Sequence, residues 1–162
     1  MKSSTRDHVV AATHFVLGPS NFIVLRLPEN WDLRLGRMPM DIDYTVFIDG
    51  VRWAQAGQAS ALLVDAKARR AIELTVMTAR ESVSPPKLFN ARPGTCRIGG
   101  HDAAYMLGGA NFGLFKTKHY AVLHIAYRCE ETQRSMDLRF MHKGSAEMLE
   151  GLLSSVERSR CH

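Results

Sequence analysis

Tyr120–Met141 reads YAVLHIAYRCEETQRSMDLRFM, and Gly144–Arg160 follows it as GSAEMLEGLLSSVERSR. The first stretch holds two strand-like runs, Tyr120–Arg128 and Arg134–Met141, joined by the polar Glu130-Glu131-Thr132-Gln133. In the second run Met136, Leu138 and Phe140 alternate with Ser135, Asp137 and Arg139, the period-two pattern of a strand with one buried and one wet face. Beyond Gly144 the period changes. Met148, Leu149, Leu152, Leu153 and Val156 recur at helical spacing, with Ser145 placed as N-cap and Glu147 near the positive end of the helix dipole. Arg158 and Arg160 fall at its negative end. Such an apolar stripe needs cover, and the oily side of the hairpin supplies it. The fold class expected is α+β: an antiparallel sheet flanked by helices, with the C-terminal helix packed on the sheet.

Upstream elements fit that sheet. Phe22–Leu27 is apolar and β-branched and stops at Pro28-Glu29-Asn30, a strand ended by a turn. Tyr44–Ile48 and Val51–Ala54 flank Asp49-Gly50, a dipeptide suited to a tight hairpin. Ala71–Thr78 alternates as a strand, and Thr95–Ile98 and Ala103–Leu107 make short strands around Gly99-Gly100. Gln58–Arg70 reads two ways, with the spacing of Ala59, Leu62, Leu63 and Ala66 leaning to helix and Ala61–Val64 allowing a strand. Ser82-Val83-Ser84-Pro85-Pro86 marks a surface loop. With 162 residues and no dividing linker, the chain is expected to be one domain, residues 1–162, able to bury a core without staples.

The sequence is 46% hydrophobic and 23% charged with a net charge of +5, an ordinary globular balance. The excess of Lys and Arg is dispersed, which weighs against a dedicated nucleic-acid surface. No run approaches the length of a membrane helix. Met1–Leu17 carries Lys2, Arg6, Asp7, His8 and His14 in place of an apolar leader core, so a cytoplasmic protein without membrane attachment is expected.

Three features together resemble the PsbP-like family, shared by photosystem extrinsic subunits and a Ran-binding import factor. They are Phe22-Ile23-Val24-Leu25-Arg26-Leu27-Pro28-Glu29-Asn30-Trp31, similar to the family's strand closed by a Pro-x-x-Trp turn; Gly99-Gly100-His101-Asp102-Ala103-Ala104, similar to its mid-chain glycine step into a strand; and the closing strand and helix through Ser155. The resemblance implies an antiparallel sheet with flanking helices and a binding or accessory role without enzymatic activity. It carries over no Ran-binding or photosystem residue.

Three constellations can carry chemistry. The strand from Arg134 to Met141 covers ~26 Å and a helix from Ser145 to Arg160 ~24 Å, so Cys161 should return to the end of the sheet where Cys129 sits. The pair can form a disulfide or, with His162, hold a soft metal; it can also stand as two separate thiols. Second, pairing Cys129 with Arg134 places His124 opposite Arg139 with Asp137 diagonally adjacent. A His beside a carboxylate can act as a general base, the same cluster can hold an anion, and the same residues also make an ordinary solvated sheet face. Third, Gly108–Tyr120 mixes glycines, Phe112, Phe115 and Tyr120 with Lys116, Lys118 and His119, a mobile connection able to cradle phosphate or stack bases. It lacks the spacing of a P-loop, and no His-Glu-x-x-His or Gly-x-Ser-x-Gly occurs. Asp41-Ile42-Asp43 is read as a short acidic loop, and Trp31 and Trp53 as core residues. The reading that follows is a non-enzymatic binding or accessory module without a cofactor, its partner a protein or a small anionic ligand. A small enzyme using His124 and Asp137 or a reactive cysteine, and a weak nucleic-acid binder, are the alternatives.

Overall fold

The computed structural model describes residues 4–14, 18–35, 57–79, 86–112 and 118–161. Among these are nine strands and one helix. β1 (Thr5–His14) and β2 (Gly18–Pro28) form a two-stranded hairpin. β3 (Asp32–Leu35), β4 (Gly57–Asp65), β5 (Arg70–Ala79), β6 (Phe89–Ile98), β7 (His101–Phe112), β8 (Lys118–Cys129) and β9 (Arg134–His142) make one antiparallel sheet in the order β3-β4-β5-β9-β8-β7-β6. α1 (Glu147–Val156) is the only helix among the described residues. The expected α+β class with flanking helices is therefore corrected to a mostly β architecture. The physical reason lies in Gly57–Asp65: its helical spacing is overridden by two ladders, to β3 and to β5, which only a strand can satisfy.

Alternation along the strands builds the core. Ile72, Leu74 and Val76 of β5, Leu123 and Ile125 of β8, and Leu138 and Phe140 of β9 are all at most 1% exposed. Ile23, Leu25 and Leu27 of β2 join the same apolar cluster, as do Leu149, Leu152 and Val156 of α1. The expected stripe of α1 is thus buried, although the helix starts later and ends earlier than expected. Ala146 rather than Ser145 stands at its N-cap, without a side-chain capping bond, and its last turn holds no basic residue.

After α1 the chain becomes extended. Arg160 bridges Val24 of β2, with Val24 N donating to Arg160 O at 2.8 Å and Arg160 N donating to Val24 O at 3.0 Å. The Ser159 hydroxyl accepts from Arg26 N at 3.0 Å. Gly99 sits where this tail passes: its φ is +57° and an added Cβ would come within 2.8 Å of Ser159 O, so no other residue fits without displacing the tail.

The β4–β5 turn is locked by Asp65, only 2% exposed. Its carboxylate accepts from Ala68 N at 3.1 Å, Arg70 at 2.7 Å and Asn30 Nδ2 at 2.8 Å. These three bonds hold the Asp65 carboxyl down at about 2, the Arg70 bond contributing most. Arg70 also lies over the Trp31 ring, 5.6 Å from its centre, and Trp31 is buried as expected. β6 and β7 run further than their short sequence signals indicated. Gly108 and Gly109 lie inside β7, where added Cβ atoms would strike Phe89 O and the Phe89 ring at 3.0 and 2.3 Å. These glycines admit β6 and its neighbours and do not loosen a loop. The Asp49-Gly50 hairpin, Asp41, Asp43, Trp53 and the loop from Ser82 to Pro85 lie outside the described residues.

Two outcomes test this packing. Leu149→Ala should cost about 2–5 kcal/mol of stability, and the half-buried Leu153→Ala clearly less, measured by denaturant unfolding. Because the folded Asp65 carboxyl is depressed below its unfolded value of about 3.9, its contribution is present above that pH and disappears as pH falls toward about 2. Acid unfolding curves of Asp65→Asn should lack that component of the pH dependence between about pH 4 and pH 2.

Candidate functional site

β8 and β9 pair in the expected register, Cys129 opposite Arg134 and His124 opposite Arg139. His124 donates from Nε2 to Asp137 Oδ2, the diagonal partner across the ladder. The sheet brings the two together because β8 and β9 are adjacent, and both are interior strands. The solvated face expected here is corrected: both side chains are only 4% exposed. His124 has Met106 of β7 on one side and Arg139 of β9 on the other; Asp137 lies between Met77 of β5 and Ala126 of β8. Flanking strands on both sides of an interior position shut water out.

The polar face is incompletely satisfied. Asp137 Oδ1 and Arg139 Nε are buried without a hydrogen-bond partner among the described residues. Buried polar atoms are almost always paired, so such atoms call for a water or a ligand to complete them. The Arg139 guanidinium adds a positive charge to this cluster, opposite His124 across the ladder.

Lys118 and His119 are exposed at the start of β8, five or six residues from His124 and so about 17–20 Å along the strand. They do not join its cluster. His119 faces Asn111 at 3.2 Å and packs on Phe89, ring centres 5.0 Å apart. Lys116 lies outside the described residues. The mobile connection expected over Gly108–Tyr120 is corrected to strand up to Phe112 and again from Lys118.

The thiols are closed to chemistry. Cys129 and Cys161 sit at disulfide-bonding distance, their Cα atoms 6.4 Å apart across 32 residues of sequence. The expected return of Cys161 to Cys129 holds, by a different path: the helix is ten residues long and the extended tail covers the remainder. Cys96 is buried, and burial together with Glu157 pushes its thiol up to about 11, far from a reactive thiolate. It lines an open groove with Thr95, Arg97, Asp102, Ala103, Ala104 and Glu157.

Two residues the sequence reading passed over stand beside the sulfurs. His101 Nε2 lies 3.6 Å from Cys161 Sγ and 2.9 Å from Glu131 Oε2. Glu131 Oε2 is 3.4 Å from Cys129 Sγ and 3.9 Å from Cys161 Sγ. No spacing rule links His101 to Glu131; the only available signal was that the Gly99-Gly100 turn and the Glu130–Gln133 turn share one end of the sheet. His162, expected as a companion ligand, lies outside the described residues.

The disulfide closes a loop that should contribute about 3–4 kcal/mol by restricting the unfolded chain. Cys129→Ser/Cys161→Ser should lower the urea midpoint accordingly and show no further change on reduction, whereas the native chain should fall to the same midpoint when reduced in a metal-free buffer.

Comparison of the chain with protein-family models, curated proteins and solved structures returns no match.

Proposed function

We propose that this chain is a non-enzymatic binding module that holds a small anion against the Arg139–His124–Asp137 face of its sheet. The observation that carries the reading is the unpartnered Arg139 Nε beside a buried His124–Asp137 pair. A buried N–H donor without an acceptor is costly, and an anion accepting from Arg139 Nε removes that cost with a charge-assisted bond. A carboxylate or phosphate suits the planar donor fork of arginine.

Three features favour binding over catalysis. His124 Nε2 is committed to its bond with Asp137 Oδ2, Cys129 and Cys161 are within bonding distance of each other, and the Cys96 thiol is held protonated by burial. The likeness of Phe22–Trp31 and Gly99–Ala104 to the PsbP-like family points the same way, since that family supplies accessory modules. No helix among the described residues is long and apolar enough to cross a membrane. The reading includes the cytoplasmic location expected from the charged Met1–Leu17 stretch.

The test is a titration with inorganic phosphate and, separately, acetate, followed by the NMR signals of the Arg139 Nε–H and the His124 ring. Saturable shifts of both groups are expected with at least one anion. A charge-assisted bond is worth about 1.5–3 kcal/mol, so Arg139→Gln should weaken that binding by about tenfold or more, while Lys118→Ala should leave it unchanged. Absence of saturable shifts, or equal binding by Arg139→Gln, would rule the reading out.

A further inference from the structure

We infer that His101, Cys129, Glu131 and Cys161 form a zinc site that is closed while the two cysteines are joined and opens when they are reduced. This site lies at the opposite end of β8 from its N-terminus and is independent of the anion-binding face proposed above.

The inference starts from convergence. One ligand atom from each residue lies within 4.8 Å of every other. Tetrahedral zinc with ligand bonds of about 2.0–2.3 Å places its donors about 3.3–3.8 Å apart. The sulfur–nitrogen distance of 3.6 Å and the sulfur–oxygen distances of 3.4 and 3.9 Å already match that polyhedron. The His101–Glu131 separation of 2.9 Å is slightly shorter than that polyhedron requires. The two sulfurs must part. Rotation about their Cα–Cβ bonds allows this, because the Cα atoms stand 6.4 Å apart, toward the wide end of the range for bridged cysteines.

The scaffold holds the four donors in place. His101 opens β7 and Cys129 ends β8, adjacent strands, while Glu131 stands in the turn that follows. Cys161 follows Arg160, which is tied to β2 by two backbone bonds. The His101 ring lies nearly parallel to Tyr127, with ring centres 6.2 Å apart, and this contact orients it. Cys129 and Cys161 are at most 4% exposed and the His101 side chain 12%, whereas Glu131 is half exposed. Two buried sulfurs, a partly buried imidazole and a carboxylate at the surface give zinc a path of entry and then a closed shell. Two sulfurs, an imidazole and a carboxylate are a donor set for zinc rather than for magnesium or calcium, which require oxygen.

The chemistry balances in two steps. A dithiol reductant gives two electrons and two protons to the Cys129–Cys161 bond and is itself oxidised to a disulfide, leaving two cysteine thiols. Zn²⁺ then displaces one proton from each thiol and binds both thiolates, the neutral His101 and the Glu131 carboxylate, for a net site charge of −1. The covalent staple is thereby exchanged for a metal staple across the same two chain segments.

The experiment uses the full chain, reduced with a phosphine and freed of it by gel filtration, with zinc affinity read by competition against a chromophoric chelator. Co²⁺ serves as a spectroscopic probe. The reduced protein should take up one zinc per chain with nanomolar or tighter affinity, about 12 kcal/mol, and its cobalt form should show thiolate-to-metal charge transfer. The oxidised protein should take up none. Glu131→Gln is a surface change that leaves the fold intact, and His101→Ala removes the nitrogen donor; each should weaken zinc at least about tenfold. The inference is overturned by a reduced chain, folded by its amide NMR spectrum, that binds no zinc. It is equally overturned if both variants bind as tightly as the native protein, or if the reduced chain stays unfolded with zinc present.

Discussion

The structure depends on how its two chain ends are fastened over one face of the sheet. A seven-stranded sheet with Leu74, Val76, Leu123, Ile125, Leu138 and Phe140 on one side cannot leave that side in water. The β1–β2 hairpin and α1 provide the cover, and both lie at the extremities of the chain. Neither would stay put through apolar contact alone, a two-stranded hairpin and a ten-residue helix each being marginal by itself. The backbone bridge between Val24 and Arg160 joins the two covers to each other, and the bond from Cys161 to Cys129 ties the joined pair to the sheet. Gly99 has to be a glycine because the tail that makes this closure crosses it.

The opposite face follows a different logic. Its centre holds charge instead of oil, with His124, Asp137 and Arg139 on neighbouring strands. Burying such groups costs stability unless every atom is paired, and here two atoms are not. A fold stabilised by its apolar face can carry that cost. The molecule thus separates an apolar face that gives cohesion from a polar face, with a cysteine pair at one end of the sheet.

Legibility differed sharply between these parts. The β8–β9 register could be read because a short polar turn, Glu130–Gln133, fixes which residues face each other, and the helical stripe of Met148–Val156 could be read from its period. The strand nature of Gly57–Asp65 could not, since Ala59, Leu62 and Leu63 satisfy both periods and only the neighbouring ladders decide. β1 carried no signal, because Arg6, Asp7 and His8 interrupt its apolar residues; Arg26 meets Asp7 across the hairpin at 2.7 Å and makes that charge acceptable. The burial of His124 and Asp137 was equally hidden. Alternation in one strand says which residues share a face, and the exposure of that face depends on how many strands flank it.

What the sequence determined by itself is local: where strands turn and which residues alternate. What only the tertiary structure decided is the assembly of residues distant in sequence. Placing His101 and Glu131 around the sulfurs required the order of strands in the sheet and the path of an extended tail, and neither leaves a spacing in the chain. Strand order is set by the total burial of a face, a property of all the strands together that no window of sequence contains.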